Sequence, residues 1–144
     1  MDVRIERAEP VDLDAVLGLL VANGLPTDGL QEHLSTTLVA RRANVVIGSS
    51  ALELSADGAL LRSVAVDARE QGHGLGHRLT DAAIDLARTA GARSVYLLTT
   101  TAEEFFPKFG FERIARADVP ASVQASIEFT SACPSSATVM RKTL

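Results

Sequence analysis

The sequence predicts a mixed α/β fold in one layered domain that spans residues 1–144. Three observations support this prediction. A chain of 144 residues has the length of one ordinary domain. Short apolar stretches of strand length alternate with segments whose apolar residues recur with the 3.6-residue period of a helix. No internal repeat and no linker rich in proline, glycine or serine divides the chain.

The first half of the chain predicts one strand, a helical region and three further strands. Residues 10–23 carry a broad apolar stripe at helical spacing, and Gly24 is suited to end that helix. Residues 25–34 are expected to form a loop with a short second helix. Turn signals at residues 43–44 and 55–58 separate the later strands. The predicted strands cover residues 3–8, 38–42, 45–54 and 60–66.

The second half begins with a polar, glycine-rich connection at residues 67–76. The strongest helix prediction follows at residues 75–90, where apolar residues keep the helical period and Gly91 is suited to end the helix. Beyond it, strands are expected at residues 94–99, 111–116 and 138–142, with short helices at residues 101–109 and 120–126.

Composition and charge exclude several classes of protein. Lys and Arg number 14 against 18 Asp and Glu, so the net charge of −4 gives no broad attraction for nucleic acid. The apolar runs at residues 17–22 and 95–98 are far shorter than the roughly 20 residues of a membrane span, and the charged start shows no secretory signal. A single cysteine excludes an intrachain disulfide and a multi-cysteine zinc site. We therefore expect a cytoplasmic domain without a nucleic-acid or membrane partner.

The glycine-rich connection has the composition of a phosphate receptor. Gly72, Gly74 and Gly76 alternate with other residues, which lets the backbone turn tightly and point several N–H groups outward. The helix that follows adds unpaired N–H groups and a partial positive charge, so phosphate or pyrophosphate is the predicted ligand. A loop that only reverses the chain is the alternative. The spacing fits neither the P-loop pattern nor the dinucleotide fingerprint.

Two blocks of the sequence resemble the GCN5-related N-acetyltransferase (GNAT) superfamily. The first is Val64-x-Val66-Asp67 followed by Gln71-x-x-Gly74-x-Gly76, which is similar to the coenzyme A loop of that family. The second is Thr99-x-x-Ala102-x-x-x-Phe106-x-x-x-Gly110-Phe111, which is similar to a family block with asparagine first and tyrosine in place of Phe106. The order of the predicted elements matches along the whole chain. Residues 60–66, 96–102 and 127–137 resemble most closely the arsenic-resistance-associated N-acetyltransferases.

The resemblance implies a central, mostly antiparallel sheet that is splayed between its fourth and fifth strands and flanked by helices. It also implies acetyl-CoA as the co-substrate and no metal. The pantetheine arm would lie along the backbone of Val64, Ala65 and Val66, and an N–H near Val66 would stabilise the oxyanion. Thr99 and Phe106 would complete the cofactor site. The pyrophosphate would lie on the N–H groups of Gln71, Gly72, His73, Gly74, Leu75 and Gly76.

The sequence does not decide which residue donates or accepts protons, because Phe106 occupies the position of the tyrosine that protonates the departing thiolate in the family. The sole tyrosine, Tyr96, lies too early in the motif to replace it. Candidates for the catalytic acid or base are Cys133, Glu53, Glu128, the threonines at residues 99–101, and water.

Arg62 and Glu128 are the candidate acceptor-binding residues. Strand alternation predicts that Arg62 shares one face with Val64 and Val66. There its planar guanidinium would bind a carboxylate, arsinate or phosphinate through two hydrogen bonds. The alternative is an arginine at a strand edge that pairs with Glu53 or with solvent.

His73 and His77 have a spacing that metal sites use. The sequence places no third ligand nearby, so histidines beside a phosphate site are the favoured interpretation. No metal is expected.

The sequence thus predicts an N-acetyltransferase that acts on the amino group of a small molecule, such as an arsenic- or phosphorus-containing amino acid. Direct attack of the amine on the thioester needs no covalent enzyme intermediate. Two alternatives stay open: an acyl-CoA-binding sensor of this fold, which Phe106 supports, and an enzyme that acetylates proteins or peptides. The resemblance also leaves a homodimer open, because small members of the family often pair.

Overall fold

The computed structural model of the protein describes residues 2–144, in which seven strands form one sheet. The strand order is β1-β2-β3-β4-β5-β7-β6, and every neighbouring pair is antiparallel except β4 and β5. The predicted mixed α/β fold with a mostly antiparallel sheet is therefore confirmed. The strands are β1 Arg4–Arg7, β2 Thr37–Arg42, β3 Val45–Ser55, β4 Gly58–Val66, β5 Ser94–Thr99, β6 Glu112–Arg113 and β7 Thr138–Thr143.

Helices cover both faces of this sheet. The helices are α1 Leu13–Ala22, α2 Leu75–Thr89 and the single turn α3 Ala121–Gln124. A short π-helical turn, Glu128–Ala132, precedes β7. The 3₁₀ turns are Pro10–Asp12, Leu30–Thr36, Ala68–Glu70, Phe106–Phe109 and Arg116–Asp118. Between residues 2 and 144, the helices are too short or too polar to cross a membrane.

The largest differences from the predicted elements lie after β5. The helix expected at residues 101–109 is only the 3₁₀ turn Phe106–Phe109, because Pro107 has no N–H to donate within a longer helix. The strand expected at residues 111–116 is only the two residues of β6. β6 pairs with Arg141 and Met140 of β7, one further bond joins the N–H of Ile114 to the carbonyl of Val139, and the chain then turns at residues 116–118.

Separate apolar clusters hold the helices against the two faces of the sheet. On the α2 face, Ala83, Ile84 and Ala87 belong to a buried cluster with side chains of β3, β4, β5 and β7. On the opposite face, Val16 and Leu20 of α1 belong to a second cluster with β2, β3 and β4. These two clusters anchor the helices, so the strand ends between them keep fixed positions.

β4 and β5 pair at only two positions and then separate. Ala59 lies opposite Val95 and Leu60 lies opposite Tyr96, and the remaining residues of the two strands have no ladder between them. The structure thus confirms the splay between the fourth and fifth strands that the family resemblance implies. The gap opens toward Val66 at the carboxyl end of β4.

A β-bulge in β4 changes which face its side chains occupy. Ser49 pairs with Ala65 and Ala51 pairs with Arg62, so β4 contains one extra residue at this point. Ser63 has a positive φ of 62°, which is uncommon for a residue other than glycine. The bulge interrupts the two-residue alternation of the strand.

The prediction that Arg62 shares a face with Val64 and Val66 is therefore wrong. Val64 and Val66 pack in the clusters beneath α2. Arg62 lies opposite Ala51, which packs beneath α1, and cross-strand neighbours lie on the same face of a sheet. The bulge thus turns the guanidinium toward the α1 face.

A buried ion pair joins β2 to the start of the α1 region, and its loss should destabilise the fold. Both oxygens of Asp12 accept hydrogen bonds from Arg41, at 2.9 and 2.8 Å. These bonds hold the pKa of Asp12 below its usual range. A carboxyl group with a lowered pKa stabilises the folded state above its ordinary pKa and loses that contribution as the pH falls through its folded pKa.

We expect Asp12→Asn to lower the free energy of unfolding by about 1–3 kcal/mol at pH 7, because Arg41 loses two charge-assisted hydrogen bonds and keeps only Glu6 as an anionic partner. Urea denaturation at pH 7 and at pH 3 measures this loss, which should shrink at the lower pH. Asp14→Asn, on the exposed side of the same helix, is the matched control with little change. Equal losses in the two variants would contradict a specific role for the Asp12 pair.

Candidate active site

A groove and a smaller cavity that is less open to solvent (called the enclosed cavity below) meet inside the gap between β4 and β5. The groove has a volume of about 820 Å³ and runs from the glycine-rich loop across Val64 to the segment after β5. The cavity has a volume of about 280 Å³ and lies deeper, toward Arg62 and Glu128. The two spaces adjoin, because six residues line both of them: Asn23, Val64, Thr100, Thr101, Ala102 and Phe106.

Val66 directs its backbone N–H into this gap. The next residue, Asp67, donates its N–H to the carbonyl of Ile47 on β3 at 2.8 Å. Alternate residues of an antiparallel strand bond to the same neighbour, so the N–H and C=O of Val66 point away from β3. Its carbonyl accepts hydrogen bonds from Gln71 Nε2 at 3.0 Å and Asn23 Nδ2 at 3.4 Å.

The glycine-rich loop has an open outer surface. Gly72 and Gly74 have φ values of 85° and 81°, and a Cβ atom added at either position would meet no atom within 4 Å. Asp67 accepts a hydrogen bond from the N–H of Arg69, which stabilises the turn before the loop. The side chain of Gln71 donates a hydrogen bond to the carbonyl of Val66, which holds the loop against β4. The loop can therefore present backbone N–H groups to an anion without a side chain in the way.

The remaining residues predicted to bind the cofactor lie on the loop, at the groove or behind its wall. His73 is exposed on the loop, and Gly76 lines the groove. Leu75 is the first residue of α2, and its side chain packs in a buried cluster with residues of the sheet, so only its backbone faces the loop. Ala65 is buried in the α1 cluster and its backbone pairs with Ser49, which places it behind the wall of the groove.

Thr99 and Phe106 form the opposite wall. Thr99 lines the enclosed cavity, and its hydroxyl oxygen accepts a hydrogen bond from the N–H of Ala102 at 2.9 Å. Phe106 is buried and packs edge-on against Phe105 and Phe111, with ring centres 5.1 and 5.8 Å apart. Its ring thereby separates the groove from the apolar core.

The guanidinium of Arg62 is fully buried and joins four segments of the chain. Nη1 donates to the carbonyl of Asp28 at 2.6 Å and to Glu53 Oε2 at 2.9 Å. Nη2 donates to the carbonyl of Pro26 at 3.2 Å, and Nε donates to Ser63 Oγ at 3.0 Å. Within residues 2–144, only the second Nη2 hydrogen has no protein acceptor, and the side chain exposes none of its surface. The predicted bidentate grip on an anionic acceptor is not available in this arrangement, because the other donors bind the protein.

Glu128 faces the same guanidinium from the π-helical turn. Its Oε2 lies 3.5 Å from Arg62 Nε, and only 3% of the residue is exposed. Burial raises the pKa of Glu128 to about 7, although the charge of Arg62 opposes this change. Glu128 and Arg62 both line the enclosed cavity.

Cys133 lines the enclosed cavity beside Glu128, and its thiol donates a hydrogen bond to that carboxyl group. Burial, together with the negative charge of Glu128, raises the pKa of the thiol to about 11. Cys133 is therefore a neutral thiol at physiological pH.

Glu53 lies on the far side of Arg62. It lines a separate cavity of about 570 Å³, between the turn Leu30–Thr36 and α3. One of its oxygens binds Arg62, and the other lies 3.4 Å from His33 Nε2. The structure thus separates Glu53 from the enclosed cavity and places it on the far side of the arginine.

The two histidines considered for metal binding have separate surroundings. His77 Nε2 lies 3.1 Å from Asp81 and its ring packs on Phe109. His73 Nδ1 lies 3.4 Å from the carbonyl of Glu70. In the part of the chain that the structure describes, no three His, Cys, Asp or Glu side chains come close enough to hold a metal ion.

Sequence reasoning missed two parts of the site. Asn23 ends α1, lines both spaces and bonds to the carbonyls of Leu19 and Val66. The Asn-Gly pair at residues 23–24 signals a helix end but not this second contact. The wall formed by Leu25 and Pro26 was likewise missed, because it depends on the long-range bond from Arg62 to Pro26.

Known proteins share this fold and part of the sequence. An amino-acid acetyltransferase of Mycobacterium tuberculosis is 39% identical over 79 residues, which are 54% of this chain and 45% of the relative. N-acetylglutamate synthase from Neisseria gonorrhoeae, complexed with coenzyme A and N-acetyl-glutamate, superposes with a TM-score of 0.85 at 22% identity. That match covers all of this chain and 35% of the other, so this chain spans less than half the length of both proteins.

A solved structure of similar size shows the same fold. Rv2747 from Mycobacterium tuberculosis, in complex with CoA and NLQ, has a TM-score of 0.82 and 26% identity, over 98% of this chain and 99% of that one. The sequence model of the acetyltransferase (GNAT) domain matches residues 33–113, which are more than half of the chain. With its splayed strands, glycine-rich loop and this match, the chain belongs to the GNAT acetyltransferase family.

Proposed function

We propose that this protein transfers the acetyl group of acetyl-CoA to the amino group of a small molecule. One observation carries the proposal: an open groove and an enclosed cavity join inside the gap between β4 and β5. The groove suits a long co-substrate, and the cavity suits a compact acceptor. The two reactants would meet beside Val66.

The groove has the features that coenzyme A requires. The loop from Gln71 to Gly76 offers backbone N–H groups and the amino end of α2 to the pyrophosphate. The free edge of β4 offers backbone groups to the amide-containing pantetheine arm. The N–H of Val66 points to the place where a thioester carbonyl would develop negative charge.

The enclosed cavity favours a small acceptor over a peptide. Its volume of about 280 Å³ lies just below the range for ligand pockets, about 300–1,000 Å³, which suits a compact acceptor better than an extended chain. Relatives of this chain include proteins described as an amino-acid acetyltransferase and as an N-acetylglutamate synthase. We therefore propose amino acids and their analogues as the acceptor class.

More specifically, we propose arsenic- or phosphorus-containing amino acids as acceptors. This proposal rests on the resemblance of residues 60–66, 96–102 and 127–137 to the arsenic-resistance-associated N-acetyltransferases. The cavity has one cationic and one acidic side chain, Arg62 and Glu128, as a zwitterionic acceptor requires. A cytoplasmic location and a homodimer also remain proposals.

An acyl-CoA sensor is the second candidate function, and Phe106 is the observation that favours it. A phenyl ring cannot protonate the departing thiolate. However, a sensor needs no enclosed second cavity beside the thioester, whereas a two-substrate enzyme does. The position of the two spaces side by side in the gap favours the enzyme.

Release of free thiol from acetyl-CoA, measured against a panel of amines, tests the proposed function. The panel should contain common amino acids, their phosphinate and arsinate analogues, polyamines and a lysine peptide. We expect the fastest release with one amino acid or analogue, and little with the peptide. Equal background rates for every amine would contradict the enzyme and favour the sensor.

The glycine-rich loop should be needed for acetyl-CoA binding. A ligand at 100 times its Kd stabilises the folded state by about 2.7 kcal/mol, which raises the melting temperature. We expect Gly74→Val to abolish this increase, because the side chain would occupy the open surface where the pyrophosphate binds.

Gly91→Val is the matched control for that experiment. Gly91 has a φ of 87°, similar to the 81° of Gly74, and an added Cβ also meets no atom within 4 Å. It lies beyond the opposite end of α2, so both variants share the backbone strain but only one changes the loop. A full increase in melting temperature for Gly74→Val would place the coenzyme site elsewhere.

Phe106→Tyr should change the turnover rate by less than about tenfold, although general-acid catalysis often contributes about 10²–10⁴-fold. We expect this because an enzyme built around a phenyl ring already handles thiolate departure by another route. Steady-state kinetics with the preferred amine measures the effect. A gain of several hundredfold would show that the natural protein is catalytically impaired, which supports the sensor.

A further inference from the structure

The acceptor cavity must contain a group that removes a proton from the attacking amine, and the structure excludes most of the candidates. Phe106 has no ionisable group, and Tyr96 packs in a cluster with Leu60 and Val123 instead of lining the cavity. The hydroxyl oxygen of Thr99 is engaged by the N–H of Ala102. These three side chains therefore offer no base.

Two of the remaining candidates also have unsuitable surroundings. Glu53 lines a different cavity and gives one oxygen to Arg62 and the other to His33. Cys133 stays a neutral thiol, because burial and the neighbouring carboxyl group raise its pKa to about 11. A base must be unprotonated when the amine arrives, so the thiol is excluded.

We propose that Glu128 is the catalytic base that deprotonates the acceptor amine. The inference rests on the proposed acetyl-transfer function. Glu128 lines the enclosed cavity, lies on the π-helical turn, and is held between Arg62 on β4 and Cys133. It is the only Asp or Glu among the residues that line this cavity in the described part of the chain.

The proton balance of the reaction fits a carboxylate at this position. The acceptor enters as an ammonium ion, and Glu128 takes one proton to leave a neutral amine. The amine nitrogen forms a bond to the acetyl carbon, and the electron pair of the C–S bond leaves on sulfur. The second nitrogen proton goes to the thiolate sulfur, directly or through water, and Glu128 releases its proton to solvent. The products are an amide, free CoA thiol and one proton.

The surroundings of Glu128 set its affinity for protons near neutral pH. Burial raises its pKa to about 7, and the negative charges of Glu53 and Asp28 act in the same direction. The positive charge of Arg62 and the hydrogen bond with Cys133 oppose these effects. General catalysis is most effective when the pKa of the catalytic group lies near the working pH.

The test measures the pH dependence of kcat at saturating acetyl-CoA and acceptor, for the natural protein and three variants. We expect kcat of the natural protein to rise through an apparent pKa of about 7. Glu128→Gln should lose this rise and lower kcat at pH 8 by about 10²–10⁴-fold. Its acetyl-CoA affinity should be unchanged, because the groove is separate from Glu128.

Two conservative variants give shifts that a merely structural role would not produce. Glu53→Gln should move the rise to lower pH, because it removes a negative charge that opposes ionisation of Glu128. Cys133→Ala should move the rise to higher pH, because it removes a hydrogen bond to the carboxylate. Each variant keeps the base itself.

Glu128→Gln should also fold well, so a loss of activity in this variant would not be caused by unfolding. A raised pKa means that the folded state loses stability as the pH rises from the ordinary carboxyl pKa through about 7. Glutamine does not ionise, so the variant should lack this loss in urea denaturation between pH 5 and pH 8. A destabilised variant at pH 8 would contradict the proposed surroundings of Glu128.

The outcomes separate this inference from the function on which it rests. An active natural protein whose Glu128→Gln variant keeps the rise near neutral pH overturns Glu128 as the base. A natural protein that acetylates no amine overturns the proposed function as well. Loss of the rise in Glu128→Gln, with opposite shifts in the other two variants, supports the assignment.

Discussion

The buried guanidinium of Arg62 is the interaction on which the site depends. It binds carbonyls of the segment after α1, a carboxylate of β3, the bulged serine of β4 and, at 3.5 Å, the carboxyl group of the π-helical turn. Its partners outside β4 come from three separate parts of the sequence, residues 26–28, 53 and 128. These contacts hold the separate segments together and fix the shape of the enclosed cavity.

The bulge at Ser63 explains why the arginine and the coenzyme groove occupy opposite faces of one strand. Its positive φ costs about 1–3 kcal/mol, and it persists because Ser49 Oγ donates to its carbonyl while Arg62 donates to its hydroxyl. Val64 and Val66 thereby remain on the α2 face while Arg62 reaches the α1 face. One short segment of the strand thus contributes residues to both the groove and the enclosed cavity.

The elements of the fold were largely predictable from the sequence, because their apolar patterns are local. The period of α2, the glycines of its loop and the alternation of the central strands each lie within one segment. The bulge was not predictable, since Leu-Arg-Ser-Val reads as an ordinary strand and its strain is compensated by Ser49, a residue of β3. The surroundings of Arg62 were not predictable either, because its partners come from distant residues, 26–28, 53 and 128. Asn23 was missed because its contact with Val66 spans two elements.

The central claim is that the acetyl group and the acceptor amine meet beside Val66, in the gap between β4 and β5. A crystal structure with an acetyl-CoA analogue that cannot transfer its acetyl group tests this claim most directly. The account predicts the acetyl carbonyl oxygen at about 3 Å from the N–H of Val66, with the pyrophosphate on the loop from Gln71 to Gly76. An acetyl group outside the gap, or a pyrophosphate away from that loop, would contradict it.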